Sequence, residues 1–257
     1  MNSLQQHYCD KYNALQLEIA LDIETTIKNS DWWREAQAVR DRHYHPSPDV
    51  MLADHLEQTL RNLTSILSPY NSLPFVAQLQ SAMISAGLTP DWALPILAPV
   101  ALLHDIGKTK EEERIEGKRP DSCEMDKMRH SGYSVIAAQE ILPNSLVGRE
   151  VILALIEEHD TPYAWFMQYI KSGQVPSSKS WARLDRKIDS RADGTGLILL
   201  CIFKLADIDG HEKVDDVRWF IEQTNDNHLR GKGKLLPVPD QAAIFSLVSL
   251  PSEVDGD

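Results

Sequence analysis

The sequence predicts an all-α protein in which one helical bundle occupies most of the chain. Apolar residues recur at steps of three and four along nearly the whole sequence, which is the period of an amphipathic helix. No run alternates polar and apolar residues over the length of a strand, and no Asn-Gly or Asp-Gly pair joins two β-rich segments. With 257 residues, 42% of them hydrophobic, the chain can bury a sizeable core without disulfides.

The helices follow from this periodicity in order along the chain. Leucines form a single stripe over residues 52–67, so we predict a helix there that ends before Pro69. The almost wholly apolar segment 91–104 predicts a second helix, with a kink or break at Pro99. Further helices are predicted over residues 73–88, 131–142, 147–160, 178–188, 195–209 and 214–224.

The two ends of the chain differ from the central domain, which we assign to residues 44–225. Residues 1–43 are helical in character and predict an N-terminal extension. Residues 226–257 contain the stretch "GKGKLLPVPDQ" and end in acidic residues. Because glycine and proline interrupt regular structure, we predict an irregular C-terminal tail that packs on the body.

Composition limits the partners of the protein. The net charge is −12, and binding of long duplex nucleic acid depends mainly on Lys and Arg, so no long duplex is expected. A small phosphorylated substrate, or a nucleic-acid end held in a local basic pocket, is compatible with this charge. The oligomeric state is not determined by the sequence.

Cysteine usage and hydropathy predict a cytoplasmic protein that does not contact membranes. Cys9, Cys123 and Cys201 are odd in number, far apart and in no C-x-x-C pair, which is typical of reduced thiols. The polar start "MNSLQQHYCDKYN" lacks the pattern of a signal peptide. Apolar runs stay well below the ~18 residues of a membrane span.

Histidines and aspartates lie on or beside the core-facing sides of several predicted helices. The stretch "ILAPVALLHDIGKTK" places an imidazole and a carboxylate side by side after an apolar helix. Taken singly, each such residue is more often a hydrogen-bonded core residue, a cap or half of an ion pair. Burying several of them together is costly unless a cation neutralises the carboxylates. We therefore predict a metal site formed by His55, His104, Asp105, His130, His159 and Asp207.

The order of these residues, H…HD…H…H…D, resembles that of the HD superfamily of metal-dependent phosphohydrolases. It appears in the segments "ADHLEQTL", "LLHDIGK", "RHSGYSVIAAQEIL", "IEEHDTP" and "KLADIDG". The stretch "RHYHPSPDVMLADH" is also similar to the start of HD domains in tRNA-processing and RNA-end-healing enzymes. The resemblance covers residues 44–210 and implies an HD-domain helical bundle with extra terminal helices.

The resemblance also implies a binuclear metal centre. In the family pattern, one ion is held by the residues that correspond to His55, His104, Asp105 and Asp207. The second ion is held by His130 and His159, and Asp105 bridges the two. Such ligands suit iron, manganese, magnesium, cobalt or nickel. The implied activity is hydrolysis of a phosphate ester of a nucleotide or nucleic-acid end through a metal-activated water.

Three basic residues near this pattern are candidates for binding the substrate phosphate. Lys108 comes just after the HD pair, so its ammonium can fold back towards the metals and act with Asp105 in catalysis. Arg129 directly precedes one predicted ligand, and Lys204 lies one turn before another. The alternative for each is an ordinary surface cation.

Several alternatives stay open at this stage. Asp160 and Asp209 either orient a ligand imidazole from the side away from the metal or cap a helix. The whole protein is a phosphohydrolase, a di-iron oxygenase of the same fold, or a non-catalytic helical module that binds a nucleotide or a partner protein. The ligand pattern alone does not distinguish these three, and it does not identify the substrate.

Overall fold

The structure is a computed structural model that describes residues 15–41, 50–110, 129–208, 214–229, 231, 233 and 235–248. Over these ranges the chain is helical and forms no strand, so the predicted all-α class is confirmed. An isolated antiparallel bridge joins Arg40 to Met51, between the N-terminal helices and the helix that follows.

The α-helices are numbered here in chain order. They are α1 (Leu15–Lys28), α2 (Asp31–Ala38), α3 (Leu52–Leu67), α4 (Pro74–Ser85), α5 (Pro90–Leu103), α6 (His130–Ile141), α7 (Arg149–Glu158), α8 (Thr161–Ser172), α9 (Ser178–Ile188), α10 (Gly196–Ala206), α11 (Val214–Thr224) and α12 (Gln241–Val248). A 3₁₀ turn, Asp189–Arg191, precedes α10, and a π turn, Asn225–Leu229, follows α11.

The apolar helices α5 and α10 form the centre of the core. Every residue of α10 is buried, as are most residues of α5. Helices that are hydrophobic on all sides are stable only when neighbours surround them, and here α3 and α7 each pack against both. The core helices end at polar residues, since the C-cap of α5 is His104 and that of α10 is Asp207.

Within the described ranges, no single helix is long and apolar enough to cross a membrane. The segments Pro74–Ser85 and Pro90–Lys110 have the required length and composition only when taken together, and this pair is bent by 105°.

The periodic segments of the sequence correspond closely to observed helices. Three helices have the predicted bounds: Leu52–Leu67, Ser178–Ile188 and Val214–Thr224. The other predicted helices are present, with ends that differ by one to three residues. The segment between α9 and α10 contains the 3₁₀ turn and leads into α10.

Pro99 does not break α5, so of the predicted kink or break the break is absent. The helix continues through Pro95 and Pro99 to Leu103. Proline at position 99 removes the amide that would bond to the carbonyl of residue 95, which costs about 3 kcal/mol in a helix interior. Burial of the apolar side chains on both sides of Pro99 offsets this loss and keeps the helix continuous.

Helices α8 and α12 are not predicted from the sequence, whereas α1 and α2 lie in the N-terminal extension that was predicted to be helical. Pro162 lies in the first turn of α8, where its missing amide needs no partner. Helix α12 lies inside the C-terminal tail and buries Ile244 and Leu247. The tail therefore contains regular structure that packs on the body.

A turn at residues 104–107 follows α5, and the start of α6 packs on this turn. A Cβ atom at Gly107 would lie 2.2 Å from the carbonyl oxygen of His130 and 2.5 Å from the amide nitrogen of Ser134. The Gly107 amide also donates a 2.9 Å hydrogen bond to the Ser134 hydroxyl. The missing side chain at position 107 thus permits the close approach of His130 to the HD pair.

Gly107→Ala is expected to lower the free energy of unfolding by about 1–3 kcal/mol, because the added methyl group has no space against the α6 backbone. Gly231→Ala is the matched control: a Cβ there meets nothing within 4 Å, and a change below about 0.5 kcal/mol is expected. Urea unfolding followed by circular dichroism measures both. Equal stability of the two variants would contradict this packing.

Candidate metal centre

The structure brings the six residues of the sequence pattern into one cluster, in which all except the partly exposed His130 are buried. Two triads have ligand atoms that all lie within 4.8 Å of one another, and both triads contain Asp105. The first adds His55 and His104, and the second adds His130 and His159. Helices α3, α5, α6, α7 and α10 carry the cluster residues at their ends or on their inner faces.

The first half of the cluster joins α3, α5 and α10. The Nε2 atoms of His55 and His104 lie 3.2 Å apart. Asp207 Oδ1 lies 3.1 Å from the His104 Nε2 and 3.5 Å from the His55 Nε2. Asp105 Oδ2 lies 3.5 Å from each of the same two nitrogens. Two imidazole nitrogens and two carboxylate oxygens therefore face one another.

The second half of the cluster uses the other oxygen of the same carboxylate. Asp105 Oδ1 lies 3.2 Å from the His130 Nε2 and 3.2 Å from the His159 Nε2. These two nitrogens are 3.4 Å apart. Each oxygen of Asp105 thus faces a separate pair of imidazoles, so this carboxylate is shared between the two halves.

Backbone carbonyls orient two of the four imidazoles. His104 Nδ1 lies 3.1 Å from the Ala101 carbonyl oxygen, and His159 Nδ1 lies 2.7 Å from the Ile156 carbonyl oxygen. A carbonyl only accepts, so both Nδ1 atoms carry the proton and both Nε2 atoms face the cluster. Each of these residues is the C-cap of its helix, where carbonyls of the last turn are available to a side chain.

The charges of the cluster are strongly coupled. Burial alone would lower the pKa of His104, but the carboxylates of Asp105 and Asp207 outweigh burial and raise it. Burial alone would raise the pKa of Asp105, but Lys108 and His104 outweigh it and hold that pKa well below its ordinary range. Asp105 is therefore ionised in the core and requires positive charge around it.

Lys108 supplies part of that charge. Its Nζ lies 2.6 Å from Asp105 Oδ2 and 3.2 Å from Asp41 Oδ1. Burial would lower the pKa of Lys108, but the two carboxylates outweigh it and raise the pKa above its ordinary value. The ammonium does fold back towards the cluster, as the sequence analysis expected. Its roles in catalysis and substrate binding remain predictions.

Arg129 and Lys204 occupy very different environments. Arg129 is exposed at the N-cap of α6, beside His130. Lys204 is almost fully buried, and its Nζ lies 2.5 Å from Asp207 Oδ2. Burial would lower the pKa of Lys204, but Asp207 and Asp216 outweigh it and raise the pKa. A substrate-binding role stays a prediction for both residues, and for Lys204 it would require the ammonium to leave this ion pair.

Sequence reasoning did not identify the positions of two further carboxylates. Asp41, in the N-terminal extension, has a fully buried side chain that contacts Lys108. Asp160 was considered for orienting an imidazole from behind, but its oxygens lie 2.9 Å from the His130 Nε2 and 3.4 Å from the His159 Nε2. Asp160 therefore shares the inner side of the cluster. Asp209, the other aspartate considered, lies outside the described residues.

A separate group contains Asp185, Asp189 and His228. His228 Nε2 lies 2.7 Å from Asp189 Oδ2, and His228 Nδ1 lies 3.4 Å from Asp185 Oδ1. Asp189 Oδ1 also accepts a 3.0 Å hydrogen bond from the Leu197 amide at the start of α10. This network joins the π turn to the first turn of α10. His228 lies outside the six-residue metal pattern and belongs to this separate group.

Comparison with known families agrees with this geometry. A family model described as HD domain matches residues 79–209, just over half of the chain. The chain belongs to the HD-domain family. The family lies within the superfamily of metal-dependent phosphohydrolases, so the resemblance found in the sequence is confirmed. Five of the six pattern residues lie in the matched range, whereas His55 precedes it. No curated protein and no solved structure matches the chain significantly.

The residues of the cluster fit the divalent ions that HD domains bind. The Nε2 atoms of His104 and His159 face the cluster while Nδ1 is already hydrogen-bonded. Nitrogen lone pairs and carboxylate oxygens this close repel one another in the core unless a proton or a metal cation lies between them. A donor set of imidazole and carboxylate without thiolate suits iron, manganese, cobalt, nickel or magnesium.

Addition of Mn²⁺ to chelator-treated protein is expected to raise the thermal unfolding midpoint. At 100 times the Kd, a single bound ion stabilises the native state by about 2.7 kcal/mol. His104→Ala should lose most of this stabilisation, because it removes a nitrogen that faces two carboxylates. Asp22→Asn, an exposed change in α1, is the control and should keep it. Equal stabilisation of the wild type and His104→Ala, measured by differential scanning fluorimetry, would argue against metal binding at this cluster.

Proposed function

We propose that this HD-domain protein hydrolyses a phosphate ester of a nucleotide or of a nucleic-acid end at a binuclear metal centre. The observation that supports this proposal most directly is the position of Asp105, whose two oxygens face two separate imidazole pairs. A carboxylate shared in this way is suited to bridging two cations. Two bound divalent ions would activate a water molecule and stabilise both the attacking and the leaving oxygen of phosphoryl transfer.

The protein contributes fixed ligand positions to this chemistry. His104 and His159 are held by backbone carbonyls at the ends of α5 and α7, so their inner nitrogens need no reorientation when ions bind. Helix α10 is buried over its whole length and α5 over most of its residues, which fixes Asp105 and Asp207 relative to each other. A site of this kind loses little free energy in reorganisation during the reaction.

Lys108 and Arg129 are the groups best placed to bind the phosphate of a substrate. The Lys108 side chain is 12% exposed, so its ammonium borders the cluster and remains partly accessible. Arg129 is exposed and directly precedes His130. An ammonium binds a phosphate oxygen as a point charge, whereas a guanidinium binds two oxygens as a fork. Together they would favour a compact, dianionic phosphate group.

The charge of the chain supports a small substrate. With a net charge of −12, the surface as a whole repels the backbone of a long nucleic acid. Local positive charge near the cluster is therefore what would attract a phosphate. Nucleotides and phosphorylated strand ends both present a phosphate group that such local positive charge would attract. The substrate screen described below distinguishes a phosphomonoester from a phosphodiester.

The test is a phosphate-release screen with Mn²⁺ or Mg²⁺ over nucleotides, cyclic nucleotides and oligonucleotides phosphorylated at either end. Asp105→Asn should reduce turnover of any accepted substrate by at least about 100-fold, because it removes the charge shared by both halves of the cluster. Asp22→Asn, an exposed change in α1, is the matched control and should leave turnover unchanged.

Assays run without oxygen separate this proposal from its alternatives. Phosphate release under anaerobic conditions that depends on Asp105 supports the phosphohydrolase. Oxygen consumption by the iron-loaded protein, with no phosphate released from any substrate, would support a di-iron oxygenase instead. Tight metal binding with neither activity would support a non-catalytic module.

A further inference from the structure

Asp160 occupies a position in the second half of the cluster that corresponds to the position of Asp207 in the first half. Asp207 Oδ1 lies 3.1 and 3.5 Å from the Nε2 atoms of His104 and His55. Asp160 likewise contacts both imidazoles of its half, with Oδ2 at 2.9 Å from the His130 Nε2 and Oδ1 at 3.4 Å from the His159 Nε2. Each half therefore has its own carboxylate besides the shared Asp105.

The donor sets of the two halves are equal only when Asp160 is counted. In the first half, two imidazole nitrogens face oxygens of two carboxylates. Without Asp160, the second half has two imidazole nitrogens and a single carboxylate oxygen, that of Asp105. With Asp160, both halves have two nitrogens and two carboxylates, which is a sufficient set for a divalent ion that completes its coordination with water.

The ring nitrogen that Asp160 contacts shows whether this carboxylate orients an imidazole or faces the ion itself. A carboxylate that only orients a ligand imidazole donates no electrons to the ion and bonds to the ring nitrogen that faces away from it. In His159 that nitrogen is Nδ1, and it is already bonded to the Ile156 carbonyl. Asp160 contacts Nε2, the nitrogen that also faces Asp105. It therefore lies where a ligand to the same ion would lie.

Distance and exposure are consistent with this position. Asp160 brings a carboxylate within 2.9 Å of the His130 Nε2, closer than the 3.2 Å of Asp105 Oδ1. The Asp160 side chain is 37% exposed, against 8% for Asp105 and 4% for Asp207. The second half of the cluster is thus the half that is open to solvent.

We propose that Asp160 is a ligand of the second divalent ion, in addition to the six residues of the family pattern. The proposal rests on the binuclear centre of the proposed function. Its structural competitor is an ion pair between Asp160 and a protonated His130, which would need no metal. The two differ in what happens to the second ion when the carboxylate is removed.

The experiment is a titration of chelator-treated, full-length protein with Mn²⁺, followed by isothermal calorimetry. The wild type is expected to bind two ions. Asp160→Asn and Asp160→Ser should bind the first ion with unchanged affinity and the second at least about tenfold more weakly. Both replacements are good N-cap residues, and Asp160 makes no side-chain cap bond to α8, so the fold is expected to be retained.

Two further variants complete the experiment. Asp160→Glu should recover part of the second affinity, because it keeps a carboxylate at this position, and Asp22→Asn should behave as the wild type. Low-temperature electron paramagnetic resonance of the Mn²⁺-loaded protein gives an independent readout. The signal of a coupled Mn²⁺ pair should be present in the wild type and weakened in Asp160→Asn.

Each outcome is decisive. If both ions bind to Asp160→Asn and Asp160→Ser as tightly as to the wild type, Asp160 is not a ligand, and the phosphohydrolase proposal is unaffected. If the wild type binds a single ion, both this inference and the binuclear centre are wrong. Selective loss of the second ion, partly restored by Asp160→Glu, establishes the ligand.

Discussion

The ionised carboxylate of Asp105 is the constraint around which this structure is organised. An unpaired charge in the core would cost several kcal/mol, and removing one partner of a buried pair is similarly destabilising. Here the carboxylate lies at the end of an apolar helix, between imidazoles from four different segments and the ammonium of Lys108. Helices that are far apart in the sequence must therefore meet at one point, and the bundle satisfies this requirement.

The helices that could be predicted are those whose packing repeats along the sequence. The leucine stripe of α3 corresponds to one buried face, so the bounds of this helix follow directly from the leucine spacing. Proline gives an ambiguous signal, since Pro162 begins a helix, Pro99 lies inside one, and both are read locally as breaks. Which of these occurs depends on tertiary burial, which a single sequence does not show.

The sequence predicted the main residues of the cluster but not all of its neighbours. The order of six residues along the chain indicated a shared centre, and the structure places them together. Asp160 directly follows His159 in the sequence, but adjacency does not tell which ring nitrogen its carboxylate faces. Asp41 gave no signal at all, because its contact with Lys108 depends on how the N-terminal extension packs.

Backbone pairing of residues 39–41 with residues 50–52 connects the N-terminal extension to the helix that carries His55. The backbone bonds Asp41–Val50 and Leu52–Val39 connect the extension to the first turn of α3, which carries His55 one turn later. A fragment trimmed to the matched residues 79–209 would keep the HD dipeptide but lack both His55 and Asp41. A fragment that keeps the whole cluster and the Asp41 contact must therefore start well upstream of the first residue that the family model matches.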